Sequence, residues 1–308
     1  MKHSMTMNTR TIRQPIIPRN EANPVQTTRL QQAAIKSLNG SLGNVRDRLI
    51  SWVDSEIIPH GVAVNREYRF DLEPHLLQQI PDVIQDMLDR EVMGNDNRPI
   101  VLQQVTTAYE AATAAAVTNI VTQSQQVRRD AEQTLMSEPY QRRIQYLSSR
   151  IFEEMQGFIG QSRTDLARVL SDAIARGDGI DEIAKRVTER FNVAKSRGER
   201  IARTEINNAH RRAIRDQDQD ANDDGILTRM MWLSALSPTT REWHASRHGH
   251  IYHRDQVEDF YSQGGNSINC KCTQTSILVD SRGRPLSSRL PDKLARRRKA
   301  FMEKHHAA

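Results

Sequence analysis

The chain has 308 residues, enough for about two domains. With 37% hydrophobic and 5% aromatic residues it falls below the usual apolar share of about 45–50% and builds only a modest core. No run approaches the ~20 apolar residues that cross a bilayer, so a helical membrane protein is excluded. The net charge of +6 is uneven: residues 282–308 hold nine Lys+Arg against two Asp+Glu, so that tail carries +7 and the rest −1. A basic tail points to a polyanionic partner, most simply nucleic acid.

Scarce Gly and Pro, with abundant Ala, Gln, Arg and Glu, predict a mainly α protein: long helices in the N-terminal two-thirds and a small C-terminal α+β module. Residues 1–27 read as a flexible polar arm, broken by Pro15, Pro18 and Pro24, with no apolar stretch of secretory type. Residues 28–160 form a helical region. Leu30, Ala33, Ala34 and Leu38, continued by Leu42, Val45, Leu49 and Val53, give a first helix. Pro59 and Gly61 break it. Leu76, Leu77, Ile80, Val83, Ile84 and Leu88 give a second. Ile100 to about Ser137 reads as one long helix that Pro139 ends, and Tyr140–Ile159 as the next. The small residues Ala111–Ala116 permit close helix contact, in a bundle or an assembly seam.

Residues 161–281 read as a further unit. Its helices, 161–216, restart at Gly177-Asp178-Gly179. Asp216 to Gly225 reads as an acidic linker. An α+β module follows at 225–281, with strands expected at Ile226–Leu236 and Cys272–Val279. The basic tail is 282–308.

The chemistry concentrates between Trp232 and Cys272. His244, His248, His250 and His253 fall within ten residues and precede Cys270-Lys271-Cys272. His and Cys are the usual zinc ligands, and His244, His248, Cys270 and Cys272 make a candidate set of four, with zinc the implied metal. The single residue between the cysteines is tighter than the common zinc spacing and would strain a mutual disulfide. Packing and hydrogen bonding are the competing role. A His-rich turn beside two short strands also loosely echoes ββα-metal nucleases, which would use a histidine base and a divalent metal on a phosphodiester. No carboxylate is well placed for that. Trp232 and Trp243 read as core anchors. The run Arg296-Arg297-Arg298-Lys299 is a candidate for nucleic-acid binding by counterion release, or a solvated helix end.

A second cluster runs from Arg200 to Ala209. On a helix Ile201, Glu205 and Asn208 share a face, as do Thr204, Asn208 and Arg211. Such a stripe can organise an adjoining loop through buried hydrogen bonds; taken alone it reads as a solvated face with ordinary ion pairs.

Together the clusters resemble a known family. The ordered set is Ile201-Ala202-Arg203-Thr204-Glu205, Trp232, Thr240-Arg241, His244, Gly249, Phe260 and Asn269-Cys270-Lys271-Cys272, preceded by the helix pair around Ala175–Ile180 and Ile183. It is similar to the phage Mu F-like head morphogenesis domain, over roughly 160–280. The family commonly has aspartate where Ser237 stands and Asp-Gly where this chain has His248-Gly249, so two carboxylates are missing. Arg203, Thr204, Glu205, Trp232, Arg241, His244, Gly249, Asn269, Cys270 and Cys272 are the motif residues the resemblance marks as structural.

The resemblance implies a minor capsid protein, non-enzymatic, with several copies per virion. It would contact the portal protein and the major capsid protein, and it would touch packaged double-stranded DNA. Its place would be the head or portal vertex, and the host cytoplasm during assembly, with no membrane. The competing classes are a zinc-dependent nuclease or other metal-site enzyme, and a DNA-binding accessory protein. The whole reading requires the groups between 232 and 272 to converge on the helix near Glu205.

Overall fold

The computed structural model describes residues 12–64, 67–94 and 96–305. Among them the protein is mainly α, with a small C-terminal α+β module, as composition predicts. In chain order the elements are α1 (Thr28–Glu56), β1 (Gly61–Val64), β2 (Glu67–Phe70), α2 (Pro74–Leu88), α3 (Leu102–Gln123), α4 (Ala131–Met136), α5 (Glu138–Arg176), α6 (Ile180–Asp223), β3 (Thr228–Leu233), α7 (Glu242–Ala245), β4 (Ile251–Tyr252), α8 (Arg254–Ser262), β5 (Thr273–Leu278) and α9 (Arg289–His305). A π-helical turn, Asp89–Met93, extends α2.

The chain divides into two compact units. One comprises residues 31–104 and 146–202. Its α1 buries Ala34, Leu38, Leu42, Val45, Leu49 and Val53, spaced by three and four, the period of one helix face. Leu147, Ile151, Met155 and Phe158 of α5 and Ile183, Val187 and Phe191 of α6 are buried likewise. The sequence marks a break after Pro59, but the short antiparallel hairpin β1–β2 that fills it has too little alternation to be read in advance. Tyr68 N–H donates to the carbonyl of Gly177 at 2.8 Å. Gly177 has φ +75°, and a Cβ there would lie 2.2 Å from the Tyr68 carbonyl oxygen. The turn between α5 and α6 therefore requires glycine.

The other unit holds residues 12–30, 105–145 and 203–305 of the described chain. Its sheet has the order β4-β3-β5, antiparallel throughout. Met231, Leu233 and Ile277 pack on one face with Leu290 and Leu294 of α9. On the other face Trp232 meets Phe260 and Tyr261 of α8, and Leu278 joins Ala221 of α6 and Ile120 of α3. A sheet covered on both faces explains why β3 and β5 read as nearly continuous runs of buried residues. The outer edge of β5 is protected by side chains. Asn119 and Gln123 both donate to the Ser276 carbonyl, and Gln123 accepts from Leu278 N–H. Their amides replace the missing neighbouring strand.

Several sequence expectations are corrected. The helix expected over 100–137 is two: α3 stops at Gln123, the chain turns so that Val127 is buried beside Ile120 and Ile226, and Asp130 caps α4 through Gln133 N–H. Pro139 starts rather than separates helices, because it occupies the first turn of α5, where no N–H is needed. The expected gap near 160 is bridged, and α5 runs unbroken to Arg176. The acidic linker over 216–225 is instead the last turns of α6. Arg143 pairs bidentately with Asp220 at 2.7 Å and lies 3.7 Å from Asp216, which also accepts from Tyr109. These partners remove the repulsion that would unwind an acidic run.

Of the expected arm, residues 1–11 lie outside the described residues. Residues 12–27 are packed: Arg13 N–H donates to Gln123, Ile16 N–H to Asn119, and Val25 and Thr27 are buried. The expected tail is largely the helix α9, anchored by Leu290 and Leu294.

Candidate functional site

The helix α6 supplies the floor of the site. Its residues Glu205, Asn207 and Arg211 are buried, Arg211 completely. Their face is therefore not the solvated one that the charges suggest when read alone. Arg211 donates to the carbonyls of Cys270 at 2.9 Å, Cys272 at 3.4 Å and Ser267 at 3.3 Å, and to the Asn208 side chain. Asn207 also donates to the Cys270 carbonyl, and Asn269 N–H donates to the hydroxyl of Thr204. Asn208 donates to Glu205. The guanidinium of Arg211 lies 4.3 Å from the ring centre of Tyr261, which stacks on Trp232 at 5.1 Å. The convergence that the sequence reading requires is thus present: the loop carrying both cysteines is bonded directly to the helix that carries Thr204 and Glu205.

A buried cation with so many carbonyl acceptors gives the loop one conformation. Asn269 is held at φ +50° within it, a conformation that asparagine tolerates better than most residues. On the opposite side, the segment after β3 turns into α7. Ser234 N–H donates to His248 Nδ1 at 3.1 Å, and the Ser234 hydroxyl donates to the His244 carbonyl. Arg241 donates to the carbonyls of Gly265 and Asn266.

These two frameworks bring three of the four candidate ligands together. His244 Nδ1 lies 3.4 Å from Cys270 Sγ and 3.8 Å from Cys272 Sγ. All three residues are buried, and their ligand atoms lie within 4.8 Å of one another. Both cysteines are free thiols. Cys272 N–H also points at Cys270 Sγ, at 3.4 Å. A hydrogen bond from the Cys272 thiol holds the Cys270 thiol well below its ordinary range, with His244 and Arg211 assisting against burial. The same hydrogen bond and burial push Cys272 up. His244 stands edge-on to Phe260 at 4.9 Å, and its Nε2 has no partner among the described residues.

His248 is the fourth candidate, and it sits apart from this cluster. Its Nδ1 is taken by Ser234, and burial, with Arg298 nearby, lowers its pKa to about 4. Trp232 is completely buried, but Trp243 is 53% exposed and donates to Asn266; it does not anchor the core. Gly249, at φ +79°, lies against Leu294. Of the basic run, Arg297 pairs with Glu21, and Arg298 donates to the His248 carbonyl at 2.6 Å. Arg296 is exposed, and Lys299 is exposed beside Glu303.

The structure adds residues that the sequence reading undervalued. Asn207, Tyr261 and Gln274, which donates to the Tyr261 hydroxyl, belong to the same network. The available signal was the spacing of Asn207, Asn208 and Arg211 by three and four on one helix face. The cluster opens onto a cleft of about 340 Å³ lined by Ser237, Thr240, Arg241, Asn269 and Lys271 together with the three candidate ligands.

Among known proteins, residues 164–275 match the family described as Phage Mu protein F like protein. No curated protein and no solved structure matches the chain. The matched span runs from within α5 to within β5 and contains the Arg203-Thr204-Glu205 turn of α6, Trp232, His244, Cys270 and Cys272. Over that span the chain is similar to the phage Mu protein F-like family.

Proposed function

We propose that the protein acts in phage head morphogenesis as a minor head component, structural rather than enzymatic. The observation that carries this reading is the family match over 164–275. It coincides with the segment in which α6, the three-stranded sheet and the cysteine loop are bonded into one network. In this reading the protein contacts the portal protein and the major capsid protein, is present in several copies per virion, and resides in the head or at the portal vertex. It is made and assembled in the host cytoplasm. No helix of the described residues is long and apolar enough to cross a membrane. The exposed Arg296 and Lys299 of α9 are suited to packaged double-stranded DNA through sequence-independent phosphate contacts.

The experiment is deletion of the coding sequence from the phage that carries it, followed by electron microscopy and protein analysis of the particles. The expected outcome is defective heads, with the protein co-purifying with portal and capsid when restored. Normal infectious heads without it would overturn the reading.

The metal-dependent enzyme is the competing reading, favoured by the His/Cys cluster at a cleft. The cleft lining holds no carboxylate among the described residues, so a hydrolase there has no acidic general base. Loss of a nuclease activity in His244→Ala, with assembly intact, would select the enzyme. Loss of assembly with no detectable nuclease activity in the unaltered protein selects the structural role.

A further inference from the structure

The cluster at the cleft goes beyond the assembly role, because packing alone does not require two thiols and an imidazole nitrogen to face one point. A tetrahedral zinc ion with Zn–S of about 2.3 Å and Zn–N of about 2.0 Å places its ligand atoms about 3.5–3.8 Å apart. The observed separations from His244 Nδ1 are 3.4 Å to Cys270 Sγ and 3.8 Å to Cys272 Sγ. The ligands come from two segments far apart in sequence, and each segment is fixed independently. Arg211 and Asn207 hold the Cys270 carbonyl, and the Ser234 hydroxyl holds the His244 carbonyl. Such preorganisation keeps the ligand triangle together without a direct covalent link.

We propose that His244 Nδ1, Cys270 Sγ and Cys272 Sγ bind one zinc ion, with a fourth position facing the cleft beside Thr240 and Asn269. Two thiolates and an imidazole select zinc over magnesium or calcium, which take oxygen ligands. Ligation as thiolates releases the cysteine protons to solvent. Arg211 places a buried positive charge beside the loop and offsets part of the charge of two thiolates. His248 is not a ligand. The ion ties the short helix α7 to the loop that precedes β5, within one compact unit.

The test uses the full chain, purified under reducing conditions. Elemental analysis is expected to find one zinc per chain. After removal of zinc, titration with Co(II) is expected to produce a thiolate-to-cobalt charge-transfer band and the intense visible bands of tetrahedral cobalt. Cys270→Ser and Cys272→Ser should each weaken binding at least tenfold, whereas His248→Gln should retain full stoichiometry. Absence of stoichiometric metal together with absence of the cobalt charge-transfer band in the unaltered chain overturns the proposal, as does undiminished binding by both serine variants. If a serine variant fails to fold, thiol alkylation of the unaltered chain decides. Zinc should protect both cysteines and a chelator should expose them; identical labelling rates with and without chelator also overturn it.

Discussion

Arg211 and Cys270 are joined by a hydrogen bond of 2.9 Å from a completely buried guanidinium to a backbone carbonyl. The residues are 59 positions apart, so this bond closes the loop between α6 and the approach to β5. Removing the donor leaves the buried carbonyls of Cys270 and Cys272 short of a partner, each worth about 1–3 kcal/mol, and frees the half-buried Ser267 carbonyl. Arg211→Met is expected to cost about 3 kcal/mol in urea unfolding, and Arg211→Lys less, since one ammonium replaces part of the fork. A destabilisation below about 1 kcal/mol in Arg211→Met would show that Asn207 alone holds the loop.

The pH dependence of stability should carry a signature of His248. Burial lowers its pKa to about 4 from an ordinary 6.5, with Arg298 adding to the effect. Between those values the unfolded chain binds a proton that the folded chain refuses. Stability from this residue is therefore complete above pH 6.5 and is lost as pH falls toward 4. The shift corresponds to about 3 kcal/mol. Denaturation of the protein and of His248→Gln at about pH 7 and about pH 5 isolates the contribution. The variant should lose less stability over that interval, and parallel losses would refute the assignment.

Gly249 should be intolerant of any side chain. A Cβ at φ +79° would stand 2.7 Å from Leu294 Cβ and 3.2 Å from the Ala295 backbone nitrogen. Backbone strain and overpacking each cost about 1–3 kcal/mol. Gly249→Ala is expected to lower the melting temperature and to loosen α9, read as faster tryptic cleavage at Lys293 and Arg296 within it. Unchanged cleavage would mean that α9 is held chiefly by Leu290.

The basic run should separate into two kinds of residue. Arg296→Gln with Lys299→Gln is expected to reduce the slope of DNA affinity against salt by about 2, roughly one for each phosphate no longer neutralised, with stability changed by less than about 0.5 kcal/mol. Arg298→Gln removes the donor to the His248 carbonyl and should lower stability instead. A salt slope unmoved by the first pair would remove α9 from any DNA interface.

By itself the sequence determined the helical character, the buried face of α1, the restart at Gly177 and the strand before Val279. These follow from local quantities: hydrophobic period, glycine position and β-branched content. It also placed the imidazole and both thiols among the candidates, because their residue types are rare and chemically specific. Only the tertiary structure decided which charged residues are solvated. Asp216 and Asp220 look like a linker until Arg143 is placed beside them; Arg211 looks like a surface charge until the Cys270 and Ser267 carbonyls close over it. The same holds for His248, whose ring is drawn away from the thiols by the Ser234 N–H. A side chain's desolvation and partners depend on segments distant in sequence, and no local pattern encodes them.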